Sequence, residues 1–292
     1  RITPQCTGLW NGEQRDAFAR IVKFVKAQGA LAGMQLGHAG RKASSARPWE
    51  GGKGLATERG GWEIIAPSAI PFSEAHPVPR EMDDQTIAAT VAQFAASARL
   101  TREAGFDVIE LHGAHGYLIS TFLSPITNRR TGRYGGSFEN RIRFLLEVVD
   151  AVRSEWPDDK PLFVRISCTD WMEGGWGLEE SVRLAQILKG GGKVDLIDCS
   201  SGGVDPRQKI ELKPGYQVPF AEAIRARAGI ATGPVGLISK PEMAESIVAG
   251  GQADIVVMAR AFLNDPYWPL HAARALKFRL PWPKQYERGD IF

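Results

Sequence analysis

Six short apolar runs alternating with helical periodicities predict an α/β fold, a (β/α)8 TIM barrel. The runs lie near Leu31, Val108, Leu162, Leu196, Val235 and Val256. Polar residues and glycines gather where the runs end, and parallel α/β folds bind ligands at those ends. No Gly-x-Gly-x-x-Gly sits at a strand-to-helix turn and no phosphate-loop motif occurs, which argues against an open doubly wound sheet. About six of the eight units of a closed barrel are present, and the first residue is Arg1 rather than Met. The expectation is one barrel domain over residues 1–292 that lacks its N-terminal strands.

Each element has a local reason. In 12–28, Phe18, Ile21, Val22 and Val25 recur at helical spacing, and Gly29 supplies a stop. Residues 31–36 read as a strand that runs into the polar cluster 35–42. Segment 43–79 is rich in Gly, Pro, Trp and charge. It is too long for an ordinary connection and reads as a functional loop or lid. Ile87, Val91, Phe94, Ala95 and Ala98 mark a helix over 82–104, which Gly105 ends. Residues 118–136 read as a long loop. Ser137 is an N-cap for a helix carrying Ile142, Leu145, Leu146, Val149 and Val152, with Pro157 at its end. Strands follow at 162–167, 194–200, 231–238 and 255–258, with helices at 178–188, 220–228 and 241–249 between them. A short helix at 270–276 precedes an aromatic, charged tail, 282–292.

Composition narrows the function classes. An apolar share of 43% supports a sizeable core, and a net charge of +3 is too small to point to nucleic acid or a membrane surface. Cys6, Cys168 and Cys199 are an odd number at no metal or redox spacing, which suggests a reducing, cytoplasmic setting. No apolar run approaches transmembrane length and the start does not read as a signal peptide.

The chemistry concentrates at Glu110-Leu111-His112-Gly113-Ala114-His115-Gly116-Tyr117, which follows the strand-like Phe106-Asp107-Val108-Ile109. Two imidazoles can donate to one ligand oxygen, and a phenol beside them can supply a proton. Structural histidines are one competing reading and a zinc site another. His-x-x-His lacks the helical i, i+4 spacing of a zinc pair, and no Cys or carboxylate follows at ligand distance, so no metal is expected. The last two strands end at Gly236-Leu237 and Ala259-Arg260. Small residues there let backbone N–H groups approach a phosphate, and Arg260 can add a bidentate contact. An ordinary surface ion pair is the alternative for Arg260. Arg165 is a charge inside a buried run and needs a partner. With Gln35 it could read the edge of a flavin ring.

These residues also carry a resemblance. Leu111-His112-Gly113-Ala114-His115-Gly116-Tyr117-Leu118, Phe122-Leu123-Ser124-Pro125, Asn128-Arg129-Arg130-Thr131 and Tyr134-Gly135-Gly136-Ser137-Phe138-Glu139-Asn140-Arg141 resemble the signature of the old yellow enzyme family. The 35–42 run and Gln285-Tyr286-Glu287-Arg288-Gly289 resemble its bacterial branch of NADPH dehydrogenases and xenobiotic reductases. The resemblance implies an ene-reductase in which NADPH or NADH reduces FMN, which then reduces a small activated alkene. It implies that His112 and His115 hold the substrate oxygen, that Tyr117 donates the proton, and that Gln35 and Arg165 contact the flavin ring. It places the phosphate at Gly236, Leu237, Ala259 and Arg260, although the last pair commonly reads Gly-Arg. It also implies a homodimer or homotetramer formed through the tail, with Arg288 reaching a neighbouring substrate site. Two other readings stand beside it. One is a flavin-free lyase or aldolase acting on a phosphorylated substrate, with Lys42 as the nearby Schiff-base candidate. The other is an inactive barrel fragment.

Overall fold

The computed structural model describes residues 1–289, so Asp290, Ile291 and Phe292 of the tail lie outside the described residues. In chain order the elements are α1 (Gly12–Ala27), β1 (Gly33–Leu36), β2 (Ile65–Ala66), β3 (Arg80–Glu81), α2 (Asp84–Glu103), β4 (Val108–Gly113), α3 (Leu118–Leu123), α4 (Phe138–Glu155), β5 (Leu162–Ser167), α5 (Leu178–Gly190), β6 (Leu196–Ser200), α6 (Val218–Ala228), β7 (Ala231–Pro234), α7 (Pro241–Ala249), α8 (Arg260–Asn264) and α9 (Trp268–Ala275). Local capping sets several starts. Asp83 accepts from the Thr86 N–H at 2.7 Å to open α2, and Ser137 accepts from the Asn140 N–H at 3.3 Å to open α4.

Five strands form one parallel sheet in the order β1-β4-β5-β6-β7. The expected strand at 255–258 survives as a single parallel bridge, Val235 to Val257. The reason lies in β7. Beyond Pro234 the chain leaves extended geometry at Gly236 (φ +135°) and Leu237 (φ +54°), so the ladder has nothing further to run along. The same turn ends β7 at Pro234 rather than at the expected 238.

Side-chain alternation splits the sheet into two faces. Ile109, Leu111, Val164, Ile166 and Ile197 are fully buried on the helix side. Burying each such side chain contributes about 1.5–3 kcal/mol. The other face carries Gln35 on β1, Glu110 and His112 on β4, Arg165 and Ser167 on β5, and Asp198 and Ser200 on β6. Register aligns them in rows: Gln35 beside Glu110, then His112, Arg165 and Asp198, then Ser167 beside Ser200. Period-two alternation thus turns the polar members of four apolar strands toward one space.

One connection differs from expectation. Residues 118–123 form α3, all six of them buried, where a loop was expected. A helix buried on every side has no polar face, so no amphipathic period marks it. Segment 43–79 is an ordered excursion with two 3-10 turns, and β2 within it pairs with β3. Much of the 128–141 motif is scaffold. The Asn128 amide donates to the Phe122 and Tyr134 carbonyls at 2.7 Å each. Arg141, buried, donates to the Leu123 carbonyl at 2.8 Å and pairs with Glu180.

Candidate active site

His112 is the last but one residue of β4 and faces the polar side of the sheet. Its Nδ1 accepts from the Ala114 N–H at 3.2 Å, so its own proton lies on Nε2. That Nε2 is 3.2 Å from Nδ1 of His115, whose proton therefore also lies on Nε2, 2.6 Å from Ser200 Oγ. The result is a directed row from Ala114 through both rings to Ser200. The two rings were expected to donate side by side to one ligand oxygen. In the resting site they bond to each other, and His115 has φ +62°.

Burial sets the charge of the pair. Desolvation first, then Arg165, lowers His112 to about 4. Desolvation first, then His112 and Arg165, lowers His115 to about 3. Both are neutral donors near pH 7. The Tyr117 ring lies 4.9 Å from His112 and 6.5 Å from His115. Its hydroxyl makes no hydrogen bond to any described residue, and burial raises it above its ordinary value, so it keeps its proton. Tyr117 and His112 line one wall of a cavity of about 900 Å³ that also reaches Gln35, His38 and Phe94. His115, Arg165, Gly236, Leu237, Ala259 and Arg260 do not line it.

Below the histidines, Arg165 Nε lies 3.3 Å from Asp198 Oδ2. The two groups are not aligned for a hydrogen bond, and both Asp198 oxygens are buried without one. A guanidinium so close ordinarily keeps a carboxylate ionised. Here desolvation outweighs it, and Glu110 adds to the effect, so Asp198 is pushed up to about 8. The terminal nitrogens of Arg165 bond to no described residue. The Gln35 amide donates to Glu110 Oε1 at 2.5 Å.

The predicted phosphate residues sit at the same end of the sheet. Gly236 leaves no room for a side chain, since a Cβ there would lie 2.8 Å from the Tyr216 ring. The backbone N–H groups of Leu237, Ala259 and Arg260 donate to nothing among the described residues. Arg260 is exposed and forms no ion pair among them, so the surface-pair alternative is not what is seen. Free N–H groups, an unpaired guanidinium and a close glycine approach form the donor set an anion requires. Together with Arg165, they fit FMN. No group of three or more His, Cys, Asp or Glu able to hold a metal occurs among the described residues.

Comparison with known proteins gives this arrangement its family. The model of the NADH:flavin oxidoreductase / NADH oxidase family matches residues 1–278. The chain belongs to that family. An NADPH dehydrogenase of Geobacillus sp. (strain WCH70) is 50% identical over 292 residues, covering 100% of this chain and 80% of the relative. The NADPH dehydrogenase of Bacillus subtilis (strain 168) is 47% identical over 289 residues, 99% of this chain and 80% of that one. Among solved structures, morphinone reductase in complex with tetrahydroNAD superposes with a TM-score of 0.74 at 27% identity. The match covers 96% of this chain and 75% of that one. A 2-naphthoyl-CoA reductase complex gives a TM-score of 0.82 at 30% identity, covering 92% and 41%. This flavin oxidoreductase is thus an FMN-dependent enzyme of old yellow enzyme type on a TIM-barrel fold.

The expected residues divide by place. His112, His115 and Tyr117 meet at one strand end, with Arg165 and Gln35 on the same face. Gly236, Leu237, Ala259 and Arg260 gather at the last two expected strand ends. Arg288 lies in a short 3-10 turn, Glu287–Gly289, and is exposed. Sequence reasoning missed Ser167, Asp198 and Ser200. Ser167 shares strand parity with the predicted Arg165, but the sequence singles out no inward residue of β6, so Asp198 and Ser200 carried no such signal.

Proposed function

We propose that this enzyme reduces the C=C bond of α,β-unsaturated carbonyl or nitro compounds, with NADPH or NADH as the ultimate reductant. The observation that supports this best is the row of two neutral imidazoles beside an unbonded phenol. FMN supplies the hydride chemistry when bound. Arg165 and Gln35 would hold its ring, and Gly236, Leu237, Ala259 and Arg260 its phosphate. A substrate oxygen competes with His115 Nδ1 for the His112 proton and with Ser200 Oγ for the His115 proton. Two neutral donors then stabilise charge developing on that oxygen without surrendering a proton to it. Tyr117 holds its proton ready for the α-carbon. Lys42 does not suit a Schiff base, because its ammonium is already bound by two carbonyls. Titrating this protein with FMN, then mixing the complex with NADPH and a cyclic enone, tests the reading. A folded protein that takes up no flavin would overturn it.

Two expectations attach here. Tyr117→Phe should slow the enone half-reaction about 10²-fold, within the range of a lost general acid. FMN affinity should stay within about twofold, because the hydroxyl bonds to nothing in the resting site. A normal oxidative half-reaction in that variant removes Tyr117 as the donor.

The tail supplies the second expectation. Tyr286 is 55% exposed, two positions from the exposed Arg288. An exposed aromatic close to an arginine is the make-up of an interface hot spot. We assign the tail to a homodimer or homotetramer contact in which Arg288 reaches a neighbouring substrate site, and we place the enzyme in the cytoplasm. Deleting 282–292 should weaken both self-association and enone affinity. Unchanged sedimentation and unchanged affinity in the truncated protein rule the contact out.

A further inference from the structure

Lys42 lies outside the flavin and substrate residues assigned above, yet its ammonium is one of the best-held groups near them. Nζ donates to the His115 carbonyl at 2.7 Å and to the Gly203 carbonyl at 2.5 Å. It also lies 4.2 Å from the Phe72 ring centroid and 5.6 Å from that of Tyr117. These partners come from three places in the chain: the segment after β1, the turn after β4 and the loop after β6. The neighbouring Arg41, buried, donates to the carbonyls of Ile70, Pro71 and Val204. The pair of cations thus ties segment 43–79 and loop 201–205 to the histidine turn.

That turn needs holding. His115 has φ +62°, a left-handed conformation that costs a side-chain-bearing residue free energy unless its surroundings impose it. Gly203 presses against it so closely that a Cβ there would lie 2.6 Å from His115 Cα. Three side chains besides His112 grip the residue. Ser167 Oγ accepts its N–H at 2.9 Å, Ser200 Oγ faces its ring at 2.6 Å, and Lys42 binds its carbonyl. Of the three, only Lys42 carries charge, and a charge-assisted bond is roughly twice as strong as a neutral one. Ser167 in turn donates to the Gly202 carbonyl at 2.7 Å, so loop 201–205 is fixed to the turn from both sides.

We propose that Lys42 is a positioning residue: its ammonium clamps the His115 and Gly203 carbonyls together and so holds the ring of His115 in line between His112 and Ser200. The proposal rests on the assignment of the histidine pair as the substrate-oxygen donors. Segment 43–79 acts through Phe72 as the outer wall of the clamp. Keeping a lysine charged at this depth has a cost, since burial first and Arg41 second lower it to about 8. Two carbonyls and an aromatic face offset that cost.

The test uses Lys42→Met, which keeps the stem and removes the charge, and Lys42→Arg, which restores it. Histidine side-chain ¹H–¹⁵N spectra of the FMN-free protein report ring order directly. Affinity for a saturated cyclic ketone in the FMN-loaded protein reports the donor pair, because the ketone carries the acceptor oxygen and is not reduced. With Met, the His115 signals should shift and broaden and ketone affinity should fall about tenfold, as for a lost charge-assisted bond. FMN affinity should stay within about twofold. Arg should recover part of both losses. Unmoved His115 signals in a folded Lys42→Met protein overturn the clamp, as does a loss of melting temperature with ketone affinity unchanged where His112→Ala lowers that affinity. His112→Ala is the control for the underlying assignment. If it leaves ketone affinity intact while Lys42→Met moves the His115 signals, the substrate reading fails and the clamp stands.

Discussion

Replacing both His112 and His115 by alanine is expected to slow alkene reduction about 10²–10³-fold, the loss seen when preorganised oxyanion donors are removed. Reduction of FMN by NADPH should fall far less, because the rings act on the substrate oxygen. Stopped-flow measurement of the two half-reactions separates the cases. Equal loss in both would make the pair structural. The double variant should also change acid sensitivity. Both rings sit below their ordinary value, to about 4 and about 3, so the unfolded chain binds more protons than the folded one below about pH 6.5. Their contribution is fully present above that pH and is lost as pH falls through the lowered values. The double variant should therefore lose less stability than the parent between about pH 6.5 and pH 4.

Periodicity and turn residues made the frame legible. Five of the six expected strands form the sheet and the sixth meets it at one bridge, because a buried parallel strand needs only a short apolar run, and the helices between them carry a clear apolar stripe. What failed has physical reasons. Helix α3 shows no stripe because it is buried all round. The run at 255–258 has strand composition, but its partner turns away at Gly236. In the site, residue types at strand ends identified His112, His115 and Tyr117, since chemistry and position coincide there. The supports were harder. Ser200 and Ser167 meet His115 from strands 52 or more positions away in sequence, and Lys42 meets it from 73 positions the other way. Their register, which only the fold supplies, gives them their roles. Mutual bonding of the two imidazoles was likewise hidden, because Gly113 and Gly116 announce a turn but not that His115 itself is left-handed.

Arg165→Ala should give the other large effect, a loss of FMN affinity of about 10–100-fold, from the about 1.5–3 kcal/mol of a charge-assisted hydrogen bond. The side chain is 18% exposed and its terminal nitrogens bond to nothing described, so little but a ligand engages them. Removing it also strips Asp198 of its one cation. Asp198 is 1% exposed, both its oxygens are unbonded, and desolvation already pushes it up to about 8. A carboxyl raised in the folded state binds more protons there than in the unfolded chain, whose ordinary value is about 3.9. Its contribution to stability is therefore complete below about pH 4 and is lost as pH rises toward about 8. Arg165→Ala should raise Asp198 further and extend that loss to higher pH, while Asp198→Asn, which cannot ionise, should flatten it. Melting the FMN-free proteins from pH 5 to pH 9 reads both slopes, apart from any flavin. Should Arg165→Ala retain FMN and melt lower by the same amount at every pH, Arg165 is a packing residue and the flavin contact must be sought elsewhere on the inner face.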